Sequence, residues 1–259
     1  MSIGHGPTAA MGRTVLSLAA CAVLLAGCGG EESEPVIDPG DGGDYAPVAD
    51  AASFTSVIDN PYLPLLPGAR WVYEGVSDGD DVRIETTVTG DAREVMGITA
   101  VVVRDTEYVA GELAEDTYDW FAQDAEGNVW YLGEETAEYE DGEVVSTEGS
   151  WEAGVDGGLP GIVMPADPQL GDAYRQEYLA GEAEDMAEVL TTGQNLSVAA
   201  GAYTDVVVTQ EWTPLEPEVV EEKSYAPGVG MVLEVKTAGG GGESRVELIA
   251  YTAGSAPAG

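Results

Sequence analysis

Carboxylates and aromatic rings are the side chains this sequence holds in numbers that could do chemistry. There are 48 Asp and Glu against 9 Lys and Arg, one histidine and two cysteines. His5, Cys21 and Cys28 all fall within the first 28 residues, so beyond Cys28 the chain has no imidazole and no thiol. That removes a Ser-His-Asp triad, a cysteine nucleophile and His- or Cys-ligated zinc from the domain that follows. Lys223 and Lys236 are the two lysines, and neither completes a Ser-x-x-Lys arrangement. Gly-x-Ser-x-Gly, phosphate-loop and dinucleotide-binding glycine patterns are missing too. What remains is carboxylate chemistry of the glycosidase kind, in which one acid is raised by burial, and binding without chemistry. No pair among the 48 acids stands out by spacing, so no catalytic residue is assigned, and no cofactor or metal is implied.

Two sets of residues are candidates for binding. Trp71, Tyr73, Tyr118, Trp120, Trp130 and Tyr131 lie in strand-like segments and would line a concave apolar pocket or fill a core. The acidic turns Asp78/Asp80/Asp81 and Glu182/Glu184/Asp185 offer oxygen ligands of the type Ca²⁺ prefers, without matching an EF-hand loop. Formal net charge is −39; residues 1–27 hold Arg13 and no acid, so the remainder carries 8 bases and 48 acids, a net −40. Such a chain repels phosphate, which excludes nucleic acid as a partner and a basic patch as a membrane anchor. The acidity serves solubility in the plainest reading and cation binding in the sharper one.

The N-terminus supplies an address. Arg13 precedes an apolar run from Val15 to Ala26, too short to span a bilayer but of signal-peptide length. It ends in Leu25-Ala26-Gly27-Cys28, which resembles the lipobox of bacterial lipoproteins. The resemblance implies cleavage before Cys28, lipid on that cysteine, and a protein anchored at the extracytoplasmic face of a membrane. Residues 28–52, rich in Gly, Pro, Asp and Glu, read as a flexible tether. Residues 254–259 read as a disordered tail. With both cysteines in the signal and anchor, no disulfide can form within the domain.

Residues 53–253 carry the elements that must position any site. Runs such as Arg70–Gly75, Thr99–Tyr108, Asp116–Gln123, Asn128–Gly133, Asp205–Trp212, Val219–Ala226, Gly230–Thr237 and Glu243–Tyr251 alternate with period two between Gly-, Asp- and Asn-bearing turns. This predicts a mainly antiparallel β domain with few short helices, the candidates being Ser53–Asp59 and Gly181–Leu190. The landmarks also repeat. Gly97, Val101, Trp120 and Gly127 are matched by Gly201, Val206, Tyr225 and Gly230, at separations of 104, 105, 105 and 103. Two similar halves, about 66–135 and 170–237, are therefore expected, joined across a long loop at 149–169.

Gly201–Trp212 (GAYTDVVVTQEW) and Lys223–Val235 (KSYAPGVGMVLEV) are similar to the closing strands of lipoprotein-localisation-factor-like half-barrels. Asn60–Gly75 (NPYLPLLPGARWVYEG) resembles the opening of uncharacterised secreted bacterial lipoproteins. The resemblance implies a curved sheet with an apolar concave face. The functional expectation is a non-catalytic, lipid-anchored protein binding an apolar small molecule, lipid or lipidated peptide. The alternatives are an envelope-associated structural protein with a filled core and an acidic, cation-binding surface, and a carboxylate-dependent hydrolase.

Overall fold

Period-two alternation of β-branched and aromatic residues produces strands along nearly the whole domain. The structure, a computed structural model, describes residues 45–55, 57–239 and 244–255. The signal segment and Cys28 lie outside the described residues, as do residues 28–44 of the expected tether and 256–259 of the expected tail. A single 3-10 turn, Ala51–Ser53, precedes the first strand. The first half of the chain then forms β1 (Phe54–Thr55), β2 (Arg70–Ser77), β3 (Asp80–Val95), β4 (Ile98–Val109), β5 (Glu112–Asp124), β6 (Val129–Glu140), β7 (Glu143–Ser146), β8 (Trp151–Glu152) and β9 (Leu159–Met164). The second forms β10 (Ala173–Arg175), β11 (Glu177–Tyr178), β12 (Met186–Val198), β13 (Gly201–Trp212), β14 (Val220–Ala226), β15 (Gly230–Ala238) and β16 (Arg245–Thr252).

All pairings are antiparallel, in the order β10-β12-β13-β14-β15-β16-β2-β3-β4-β5-β6-β9-β11. The expected mainly β, antiparallel curved sheet is what forms, and it curls further than a half-barrel. Its two outermost strands, β10 and β11, are separated in the chain by Gln176 alone. One short segment thus ends both edges, Tyr174 opposite Ala187 of β12 and Glu177 opposite Pro160 of β9. The sheet becomes a nearly closed barrel, and neither edge is left as an open template for another chain. On the two arms of the sheet, β3 to β6 and β12 to β15 follow one another in the same order, starting 106, 103, 108 and 101 residues apart (186−80, 201−98, 220−112, 230−129).

Closure at this seam depends on Gly161, where a Cβ would stand 2.3 Å from the carbonyl carbon of Gln176. No side-chain rotation relieves a clash with backbone. Gly161→Ala is expected to cost at least about 2 kcal/mol, read as a lower urea midpoint with an unchanged m-value.

The helix candidates do not form helices. Of the first, residue 53 ends the 3-10 turn, Phe54–Thr55 is β1 and residues 57–59 are coil; Gly181–Leu190 is a turn leading into β12. The aromatic Phe54 is used in sheet, and Gly181 (φ 81°) sits at a turn instead of inside a helical run. The expected loop at 149–169 contributes β8 and β9 to the sheet, with Trp151 buried. At the margins, the chain is held before residue 53 and after residue 253. Tyr45 donates its hydroxyl proton to the Pro160 carbonyl at 2.7 Å, and its ring meets Tyr178 edge-on at 6.0 Å. The Ser255 N–H donates to the Pro67 carbonyl at 3.1 Å.

Residues 57–69 cross one end of the barrel and form its floor. The Gln123 carboxamide oxygen accepts from the backbone N–H groups of Asp59 and Asn60. Asn60, itself buried, donates to the carbonyls of Gly127 (2.9 Å) and Pro165 (3.0 Å). The Gly228 N–H reaches the Pro61 carbonyl at 2.7 Å. The floor is pinned to the β5–β6 and β14–β15 hairpins, and it pushes Ile58, Leu65 and Ala69 into a core with Trp71, Val88, Val129 and Leu248. A second core holds Trp120, Trp130, Leu132, Trp151 and Ile162.

Candidate functional site

Above the floor the barrel keeps an open interior cavity of about 480 Å³, within the ~300–1,000 Å³ range of small-molecule sites. Strand register arranges its wall in layers. Along β4 the inward residues run Val101, Val103, Asp105, Glu107; along β5 the facing set runs Phe121, Asp119, Thr117, Glu115. Near the floor the wall is apolar, with Leu63, Leu65, Trp71, Val163 and Met231 beside Val103 and Phe121. Farther along the strands it becomes acidic, with Asp105, Glu107, Glu115 and Asp119 on one arm and Asp185, Glu211 and Glu234 on the other. Glu177 enters from the closing seam, and Lys223 is the one cation among the lining residues. The expectation of an apolar concave face therefore holds for the floor end alone.

The six aromatic candidates divide by strand parity. Trp71, Tyr73 and Tyr131 line the cavity. Their polar tips are satisfied: Trp71 Nε1 donates to the Val229 carbonyl at 2.7 Å, the Tyr73 hydroxyl to the Met231 carbonyl at 3.1 Å, and the Tyr131 hydroxyl to Asp119 at 2.6 Å. Phe121 stacks on Tyr131 with centroids 4.9 Å apart. Tyr118, Trp120 and Trp130 do not line the cavity. Tyr118 is 38% exposed on the outer side of β5 beneath the Arg104 guanidinium. Trp120 lies in the second core with Arg93 stacked over its ring at 3.7 Å. Trp130 is in that same core, and its Nε1 donates to Asp124 at 2.8 Å.

The interior acids are what a reading of the sequence does not pick out. Burial pushes Asp105 up to about 7, helped by the charges of Asp119, Glu115 and Glu107 and opposed by a hydrogen bond from Thr86. Asp119 rises to about 7 by burial, against the hydrogen bond from Tyr131. Glu177 rises to about 8 through burial and the charge of Asp185. Glu134, paired with Asp119 in the strand register, is pushed up to about 9 by burial and by Asp119. Glu107, Asp185 and Glu234 are raised as well, burial leading in each. Glu211 differs. Burial would raise it, but the Lys223 charge and hydrogen bonds from Lys223, Thr209 and Tyr225 hold it below the ordinary carboxylate range. Lys223 Nζ stands 3.0 Å from Glu211 and 3.7 Å from Glu234, and despite burial those charges lift it well above its usual value.

The acidic turns serve other contacts. Asp78 (φ 54°) pairs with Lys236 at 2.6 Å, and the Glu184 carboxylate accepts from the Gly181 N–H at 2.8 Å. Asp185 belongs to the cavity wall. Among the described residues no three Asp or Glu side chains converge closely enough to hold a metal ion.

Fold and site define a class: a nearly closed antiparallel barrel with an open cavity, apolar at its floor and acidic beyond. Two solved structures are similar to it. One is a protein from Bacteroides fragilis described as exported and of YmcC-like fold (18% identity, 76% of this chain and all of that one, TM-score 0.41). The other is a protein from Parabacteroides distasonis described as a lipoprotein (11% identity, 76% of this chain and all of that one, TM-score 0.40). No protein-family model matches the chain, and no curated protein matches it significantly. Among the described residues no helix is long and apolar enough to cross a membrane.

Proposed function

We propose that this chain is a lipid-anchored, extracytoplasmic binding protein that holds a small molecule, a lipid chain or a lipidated peptide inside its barrel and does not transform it. The observation that carries the reading is the open cavity of about 480 Å³, whose floor presents Trp71, Phe121, Tyr131 and aliphatic side chains. A packed structural protein would need that interior filled. The anchor rests on the Leu25-Ala26-Gly27-Cys28 motif, because the −40 charge of the remainder disfavours adsorption to anionic headgroups. Titration of the full chain carrying Cys28→Ala with the neutral dye N-phenyl-1-naphthylamine should give saturable, one-to-one fluorescence enhancement. Val163→Trp, which fills the floor end, should abolish it without lowering the melting temperature. A linear, non-saturating signal in both proteins would refute the binding reading.

One observation favours a second reading. Asp105 and Asp119, each at about 7, have the protonation behaviour of a general acid at neutral pH. If the barrel is instead a hydrolase, Asp119→Asn should abolish turnover of some chromogenic glycoside or ester. Unchanged background rates across a substrate panel for wild type, Asp105→Asn and Asp119→Asn would dispose of it.

A further inference from the structure

The acid layer of the cavity narrows the class of occupant. Its lining contains eight carboxylates and one ammonium, and that ammonium is already shared between Glu211 and Glu234. Glu107 and Glu115 stand directly opposite each other in the β4–β5 register, as like-charged neighbours, an arrangement that destabilises an antiparallel pair unless something neutralises it. Gln176, at the seam, is 8% exposed, lines the cavity and makes no side-chain hydrogen bond to the described residues. Its amide faces the open cavity, where an occupant can reach it. The opposite end of the same cavity is aromatic and aliphatic. Aromatic faces and carboxylates both attract cations, and no group of acids among the described residues converges as a metal would require.

Resting on the reading of the barrel as a binding protein, we propose that its ligand is an organic cation with an apolar body: a protonated amine or quaternary ammonium whose head meets the layer of Asp105, Glu107, Glu115 and Glu234 while its body lies on Trp71, Phe121 and Tyr131. A fatty acid or anionic phospholipid would add one more negative charge to a layer already crowded with carboxylates. Its anionic head would be repelled from Asp105 and Glu107 at the depth its tail requires. A bare polyamine or metal cation would leave the apolar floor uncovered. In the bound state the carboxamide oxygen of Gln176 accepts a hydrogen bond from the N–H of a protonated amine.

Calorimetric titration of the full chain carrying Cys28→Ala with octylamine, 1-octanol and octanoate, at pH 7.5 and matched ionic strength, tests this with one chain length and three head charges. Octylamine should bind one-to-one and at least tenfold more tightly than 1-octanol, with octanoate weakest. The double variant Asp105→Asn/Glu107→Gln should lose at least tenfold in octylamine affinity and keep its 1-octanol affinity. Removing mutually repelling charges should raise its melting temperature, which confirms that it folds. Binding of 1-octanol or octanoate as tight as octylamine would overturn the cation inference and leave the binding reading standing. Failure of all three ligands to bind would overturn both.

Discussion

Replacing Lys223 by methionine should destabilise the barrel by about 3–5 kcal/mol at pH 7.5, the range found when one partner of a buried ion pair is removed. The expectation follows from what surrounds the ammonium. Glu211, buried on β13, accepts from Thr209 at 2.8 Å and Tyr225 at 3.1 Å, and Lys223 neutralises it at 3.0 Å. No other cation lines the cavity. Without Lys223, Glu211 must either remain charged among Glu234, Asp185 and Glu221 or take up a proton at neutral pH. Both routes are unfavourable, and the second makes the loss depend on pH. The deficit of Lys223→Met should shrink as pH falls to about 5, where protonation of Glu211 becomes cheap. Adding Glu211→Gln should restore much of the stability by removing the stranded charge. Denaturant unfolding of the single and double variants at both pH values measures this. A deficit that is the same at pH 5 and 7.5 and is not relieved by Glu211→Gln would indicate lost packing instead of a stranded carboxylate.

The second large effect is an inverted pH profile. Asp105 and Asp119 sit at about 7, Glu177 at about 8 and Glu134 at about 9. Unfolded carboxylates titrate near 4. A raised carboxylate means that the folded state holds the proton more tightly than the unfolded chain does. Its stabilising protonation is complete below about pH 4 and is lost as pH rises through 7 to 9. Between those limits stability falls with increasing pH. Because the Asp105 and Asp119 side chains line the open cavity and keep some contact with its water, only part of each displacement counts. A combined gain of about 3 kcal/mol between pH 8.5 and pH 5 corresponds to at least about 6 °C in melting temperature for a domain of this size. Below pH 4 the trend reverses, because Glu211 and Glu85, both held low by cationic partners, then lose their ion pairs. The net charge of the chain pushes in the same direction as the raised acids, so the variant comparison decides. Asp105→Asn/Asp119→Asn should flatten the slope between pH 8.5 and 5. A melting temperature constant over that range, or falling on acidification, would contradict the burial of these groups.

The strands were legible in the sequence because alternation and turn residues act locally. Thr99–Tyr108 lies inside β4, and Gly230–Thr237 falls within β15. The closing seam was not legible: Ala173–Tyr178 has no long alternating run, and its pairing with both β9 and β12 is a property of how far the whole sheet curls. The cavity was half legible. Aromatic residues marked Trp71, Tyr73 and Tyr131, but Tyr118 and Trp120 share parity with Asp116, on the side where Arg104 reaches out to pair with it. The residues that face inward from β5 have the parity of Phe121, and they include Asp119 and Glu115. Likewise Asp105 and Glu107 continue the inward parity of Val103 on β4. Assigning every charged position to the wet face conceals them. Following parity past the last apolar residue would have exposed an acid layer turned inward. Charge of this kind is tolerated there because the interior is an open cavity and not a packed core.

The most direct test of the central claim is native mass spectrometry of the lipidated protein gently extracted from the membrane in which it is made. The account predicts a mature N-terminus at lipid-modified Cys28 and, on the same chain, one non-covalent small molecule that is released when Val163→Trp fills the floor. A chain whose N-terminus is not a lipid-bearing Cys28, or an anchored chain whose cavity is empty in every preparation, would contradict it.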